Sequence, residues 1–189
     1  MKRSEHRLLT THVGSLPRPP ALRDLLVRQD RGESIDRAAL AREAEAAVRH
    51  AVARQLQADI DIINDGEQPR VGFSTYPAKR MRGFGGQSKR PLSRDLLEHP
   101  DYAARLARQR AGAARIADAP QAVAEVAYTD LGEAVAECDL FQHAVDAGKY
   151  TEAFMTAASP GVIATIMLDA YYGSHERYVR ALAREMKKE

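Results

Sequence analysis

Between residues 36 and 57 the apolar positions recur with a helical period. Leu40, Ala44, Ala47, Val48, Ala51, Val52 and Leu56 share one face, and arginines and glutamates occupy the other. Ser34 or Asp36 is the expected N-cap. Directly afterwards the pattern changes to Ile60-Asp61-Ile62-Ile63, a β-branched run followed by the polar cluster Asn64-Asp65-Gly66-Glu67, which reads as a strand opening into a loop. Residues 8–16 give the same signal earlier: Thr10, Thr11 and Val13 favour a strand, and Gly14-Ser15 with Pro17, Pro19 and Pro20 close it.

The alternation continues downstream. A third strand is expected over 122–129, a helix over 131–147 stopped at Gly148, and a fourth strand over 152–158 stopped by Ser159-Pro160-Gly161. Residues 93–115 are rich in alanine, arginine and leucine and read as helical, broken near Pro100 and Gly112. A final amphipathic helix over 174–188 turns Tyr178, Val179, Leu182 and Met186 inward, with Glu176 in its first turn and Lys187-Lys188 in its last. Residues 69–91 hold four glycines and three prolines without a period and read as one long loop. Strands alternating with helices predict an α/β chain with a parallel sheet, organised as a single domain over 1–189.

Composition narrows the partners. With 28 basic residues against 26 acidic ones the net charge is +2, so charge alone points to neither nucleic acid nor an anionic membrane. No run approaches the roughly 18 apolar residues of a membrane span, and no signal-peptide core follows the first residues, so a cytoplasmic location is expected. The single cysteine, Cys138, leaves no internal disulfide and no multi-cysteine metal site.

Two loops carry the candidate chemistry. In His12-Val13-Gly14-Ser15, glycine permits close backbone approach, and an N–H with the serine hydroxyl can grip a carboxylate or phosphate oxygen. An ordinary strand-to-loop turn explains the same residues, and His12 alone reads first as a hydrogen-bonded turn residue. In Asp65-Gly66-Glu67-Gln68, carboxylates at the end of a buried strand suit an ammonium group or a metal, or else serve as caps of a solvated loop. The basic stretch from Lys79 to Gly86, followed by Lys89-Arg90, could hold an anionic tail but lacks P-loop order and reads as a solvated loop. Cys138 and His143 lie on different faces of their expected helix and read as structural. Asp101-Tyr102 and Tyr171-Tyr172 are expected to pack, without a chemical role.

Three ordered blocks, Thr-Thr-His-Val-Gly-Ser-Leu-Pro-Arg at 10–18, Asn64-Asp65-Gly66-Glu67-Gln68 with Gly72-Phe73-Ser74-Thr75-Tyr76 behind it, and Glu152-Ala153-Phe154-Met155 with Ser159-Pro160-Gly161, resemble the cobalamin-independent methionine synthase family. The resemblance is to its shorter single-barrel branch, which is similar also to epoxyalkane coenzyme M transferases. It implies a TIM (β/α)8 barrel, of which the chain would hold roughly the first four βα units, with 69–91 over the barrel mouth. It implies transfer of a methyl or other alkyl group to a thiol held on zinc, without cobalamin. Homocysteine or another thiol would be the acceptor and a methylated folate a candidate donor. By resemblance Gly14 and Ser15 bind the amino acid carboxylate and Glu67 receives its ammonium group; His12 and Asp65, from the same two loops, are the further candidates for the substrate-binding set.

The chain departs from the family in two places. The methionine synthases have His-Gly-Glu where this chain has Asp65-Gly66-Glu67. Their zinc ligands, a His-x-Cys pair with further Glu and Cys, come from the second half of the barrel, so no zinc ligand and no catalytic residue is assigned to this chain. A homo-oligomer or a completing partner chain is expected to cover the open edges of such a half barrel. The alternative function is a catalytically inactive half-barrel fragment or a binding and assembly module that needs a partner.

Overall fold

The computed structural model describes residues 2–109, 119–145 and 149–189. Its contacts divide into two compact units, the first formed by Met1–Phe73 with Leu131–Ala157 and the second by Ser74–Asp130 with Ala158–Glu189.

In the first unit, helix α1 (Pro20–Asp30) precedes α2 (Arg37–Gln57), strand β1 (Ile62–Ile63), helix α6 (Gly132–Val145) and strand β4 (Glu152–Ala153). The expected helix over 36–57 is present as α2, and Asp36 is the cap: its carboxylate accepts from the Ala38 and Ala39 N–H groups at 2.9 and 3.0 Å. The α1 helix was not anticipated. Three prolines dominate its approach, yet Pro20 sits in the first turn, where no N–H is needed, and Leu22 and Leu26 bury one face at helical spacing.

β1 and β4 are parallel, Ile62 opposite Glu152 and Ile63 opposite Ala153, and Thr11 bridges to Ile62 on the other side, also in parallel. The expected strands therefore contract. Residues 8–16 contribute one bridge because Gly14 (φ +99°) and the prolines turn the backbone away, and the fourth strand ends at Ala153. Val48, Val52, Ile63, Phe141, Ala144 and Val145 form one hydrophobic cluster, and Leu22, Leu26, Ala44 and Ala47 form another. Burial of these side chains against α2 holds the strand ends, and thus the loops that follow them, in place.

In the second unit, segment 69–91 is corrected over the part that lies there. It contains a helical turn, α3 (Pro77–Arg80), and strand β2 (Met81–Gly85), which pairs antiparallel with β3 (Gln121–Tyr128). The third expected strand thus exists, but its main partner is antiparallel rather than part of one parallel sheet. The register slips between Arg82, opposite Ala127, and Phe84, opposite Ala122. Gly83 permits this: at φ +95° a side chain there would meet the Glu125 carbonyl oxygen at 2.4 Å. Helices α4 (Arg94–Glu98) and α5 (Pro100–Gln109) realise the start of the expected helix over 93–115, whose remainder lies outside the described residues, as does the end of the helix expected to stop at Gly148.

Ser159-Pro160-Gly161, read as a stop, also starts helix α7 (Pro160–Ile166): the Ser159 hydroxyl accepts from the Val162 N–H at 3.2 Å and Pro160 takes the first position. The last helix, α8 (His175–Met186), buries Tyr178, Ala181 and Leu182 and packs on β3 and α7. The Tyr178 hydroxyl donates to the Met167 carbonyl at 2.8 Å, and Tyr172 stacks on its ring. Among the described residues no helix is long and apolar enough to cross a membrane.

Candidate functional site

Five polar side chains follow β1 at no more than 5 % exposure: Asn64, Asp65, Glu67, Gln68 and Arg70. Buried polar groups are costly unless hydrogen-bonded, so their partners define the site.

Asn64 ties the two loops together. Its amide nitrogen donates to the His12 carbonyl at 2.6 Å, and its amide oxygen accepts the Gly66 N–H at 2.9 Å. The Gly66 carbonyl in turn accepts the Leu16 N–H at 3.0 Å. Gly66 has φ +64°, and a side chain there would press Leu16 Cδ1 at 2.9 Å, so the position where the two loops cross requires glycine.

Glu67 lies at φ +55°, in the left-handed region that costs an L-residue roughly 1–2 kcal/mol. Its backbone is held from both ends. The Asp65 carboxylate accepts its N–H at 3.0 Å, and Arg18 Nη2 donates to its carbonyl at 2.6 Å. Arg18 also donates to the carbonyls of Gln68 and Arg70, at 3.2 and 2.5 Å, so one guanidinium gathers three carbonyls of the turn.

The Glu67 carboxylate meets hydroxyl groups. Ser15 Oγ donates to one oxygen at 2.5 Å and Thr156 Oγ1 to the other at 3.3 Å. Among the described residues Glu67 makes no ion pair; the nearby cations Arg18 and Arg70 are committed elsewhere, Arg70 to Glu137 at 2.8 Å and to the Thr156 carbonyl at 2.5 Å. Asp65 has one oxygen on the Glu67 N–H and a second, buried oxygen without a partner among the described residues. Burial, first of all, pushes its pKa up, partly offset by the hydrogen bond from Glu67 and the charge of Arg70.

The five residues expected to bind substrate thus lie in one unit and on two loops that touch. Ser15 reaches Glu67 directly. His12 is half-buried; its Nε2–H donates to the Gly14 carbonyl at 2.8 Å, which fits a turn residue. Gly14 keeps its positive φ with open space where a side chain would stand. Arg18 and Gln68, present in the quoted motifs, and Arg70 and Thr156 were given no role by sequence reasoning, because their roles rest on contacts across 50 or more residues of chain. Pro17-Arg18, directly after the first loop, was the available signal for one of them.

Other candidates fall elsewhere. Arg80, read as part of a solvated basic loop, is corrected: it is buried, pairs with Glu189 at 2.5 Å and lies over the Tyr76 ring. Cys138 is exposed, and His143 donates from Nδ1 to the Asp139 carbonyl one helical turn back. Among the described residues no three His, Cys, Asp or Glu side chains come together as a metal site.

Residues 8–91, the stretch that carries both loops, match the family model described as cobalamin-independent synthase, catalytic domain. Over that stretch, less than half of its length, the chain is similar to the cobalamin-independent methionine synthases. Over 78 residues the chain is 35 % identical to a 5-methyltetrahydropteroyltriglutamate–homocysteine methyltransferase of Shewanella oneidensis, which is 41 % of this chain and 10 % of that protein. The fold is similar to that of a B12-independent methionine synthase of a Shewanella species, solved in complex with selenomethionine. That similarity has a TM-score of 0.64 at 20 % identity and covers 95 % of this chain and 46 % of the other. A putative B12-independent methionine synthase of Listeria monocytogenes gives 0.60 at 17 % identity, over 96 % and 48 %. The chain therefore has the α/β fold of part of a cobalamin-independent methionine synthase, and spans about half the length of these solved relatives.

Proposed function

We propose that the chain supplies the amino-acid-binding wall of a methionine-synthase-like site, in which a methyl or other alkyl group passes to a thiol such as homocysteine. The observation that carries this reading is the buried Glu67 carboxylate, met by the Ser15 and Thr156 hydroxyls and by no cation among the described residues. An amino acid ammonium group placed against it would supply the missing charge, and charge-assisted bonds of this kind are among the stronger ones. Ser15 Oγ, released from Glu67, and the N–H groups beside Gly14 would then face the amino acid carboxylate. The family name and the selenomethionine complex of the Shewanella relative support an amino acid bearing sulfur or selenium.

In this reading the chain holds and orients the amino acid. Zinc, which makes the thiol a thiolate at neutral pH in the family, would be held by ligands outside this chain, in further barrel strands or a completing partner. On this reading the chain would form the first part of a TIM barrel, and both loops follow the C-terminal ends of their strand segments, where such barrels place their sites. A cytoplasmic enzyme using a methylated folate donor accords with this reading.

Isothermal titration with L-homocysteine and L-methionine tests it. One saturable site is expected, weakened about tenfold or more by Glu67→Gln and by Ser15→Ala, with binding of the des-amino analogue unaffected by Glu67→Gln. Equal affinity in wild type and both variants would remove the assignment.

A further inference from the structure

A cavity of about 440 Å3 opens in the first unit between residues 16–19 and helix α2, a volume within the roughly 300–1,000 Å3 of small-molecule sites. Its walls are mostly hydrocarbon. Leu16 and Pro17 form one side, and Ala47 and Ala51, one turn apart on α2, leave room on the other.

The ionisable groups around this space are all basic. Arg18, His50 and Arg54 line it, and no aspartate or glutamate does. Arg54 is exposed, with Nη1 on the Gln57 side chain at 3.0 Å, so most of its charge is turned to solvent and available. Arg18 is tied to backbone carbonyls rather than to a carboxylate, and burial weighs more on its charge than the opposing influence of Glu67 and Asp65. An anion at the cavity would relieve that imbalance. Gln68 completes the lining; it is 1 % exposed, its amide nitrogen binds the Leu16 and Gly66 carbonyls, and its amide oxygen has no partner among the described residues.

We infer that this cavity is a second ligand site, for a small carboxylic acid with an unbranched apolar body. The carboxylate lies at Arg54 and Arg18, and the hydrocarbon lies on Leu16, Pro17, Ala47 and Ala51. Charge complementarity selects the acid: two cations beside an apolar surface, with no carboxylate in the lining, favour a ligand that carries one negative charge at one end. The inference is independent of the amino acid reading, since it uses neither Ser15 nor the Glu67 carboxylate.

Titration of the whole chain with hexanoate, hexanamide and hexylamine tests it, read by calorimetry and by NMR shifts of the Ala47 and Ala51 methyl groups. Hexanoate is expected to saturate one site and to bind about tenfold more tightly than hexanamide, equivalent to roughly 1.4 kcal/mol. Hexylamine is expected not to bind. Arg54→Gln, at an exposed position, should reduce hexanoate affinity about tenfold without altering the urea midpoint, and Ala51→Val should reduce it by crowding the cavity. Equal binding of acid, amide and amine overturns the inference, as does an Arg54→Gln variant that binds hexanoate like wild type. No saturable binding, or closure of the cavity by a second copy of the chain in a dimer that hexanoate does not weaken, overturns it as well.

Discussion

Gln55, on helix α2, exchanges two hydrogen bonds with the backbone of Asn64: its amide nitrogen donates to the Asn64 carbonyl at 2.7 Å, and its amide oxygen accepts the Asn64 N–H at 3.1 Å. A helix side chain thus acts as the neighbouring strand would, satisfying both polar groups just beyond the end of β1. Gln55→Leu fits the surrounding apolar face but strands both buried groups, at about 1–3 kcal/mol each. The expected result is a urea midpoint lowered by more than any exposed α2 substitution, such as Arg49→Ala, which loses only a solvent-exposed ion pair with Glu45. Equal midpoints would show that water serves Asn64 as well as Gln55 does.

That residue also shows where pattern reading stops. Helix α2, the bulk of α8 and the third strand were legible because burial of one face imposes a period, and the two glycine loops because turns restrict residue type. Gln55 sits among the buried alanines and valines of the same stripe, where periodicity has no term for a polar side chain that reaches another element. The antiparallel pairing of β2 escaped for a related reason: three glycines in 83–86 read as loop, although Gly83 is what lets the strands approach. Arg18 and Thr156 became visible only when distant segments were brought together, since the spacing between bonding partners carries no local signature.

Gly83 gives a second prediction. Alanine there would need both a left-handed backbone and displacement of the Glu125 carbonyl, whereas Gly32, at φ +73°, has open space around it. Gly83→Ala should cost well over about 1 kcal/mol, and Gly32→Ala about 1 kcal/mol, the backbone term alone. Thermal melts of the two variants compare them directly; equal losses would mean that the β2–β3 pair yields freely.

Two aspartates four residues apart should respond to acid in opposite directions. Bidentate contact with Arg7 and the Thr10 N–H hold Asp61 well below the usual carboxylate range, so it favours the folded state at neutral pH. That contribution is complete above the unfolded value of about 3.9 and fades as the pH falls from there toward the depressed folded value. Burial raises the pKa of Asp65, so its charge disfavours the folded state at neutral pH, and this penalty lifts as the pH falls through the raised value. Asp61→Asn should therefore lower stability at pH 7 with a deficit that shrinks below about pH 4. Asp65→Asn should raise stability at pH 7 with a gain that disappears on acidification. Urea midpoints from pH 3 to pH 8 give both curves, and parallel curves for wild type and Asp65→Asn would contradict the burial argument.

Glu67 allows the backbone of the site to be separated from its chemistry. Elsewhere alanine is more stabilising than glycine by about 0.4–1 kcal/mol, because glycine gains more freedom on unfolding. At φ +55° the order should reverse. Glu67→Ala and Glu67→Gly lose the same bonds to Ser15 and Thr156, so their difference isolates the conformation that Asp65 and Arg18 impose. Glu67→Gly should be the more stable by about 1 kcal/mol, and both should bind amino acid as weakly as Glu67→Gln. If alanine proved the more stable, the left-handed turn would relax once the carboxylate is gone, and the Arg18 clamp on the three carbonyls would not be what fixes it. If glycine is the more stable while binding is lost, the turn is held by its neighbours in order to aim a carboxylate, which is the arrangement expected of a site that receives an ammonium group.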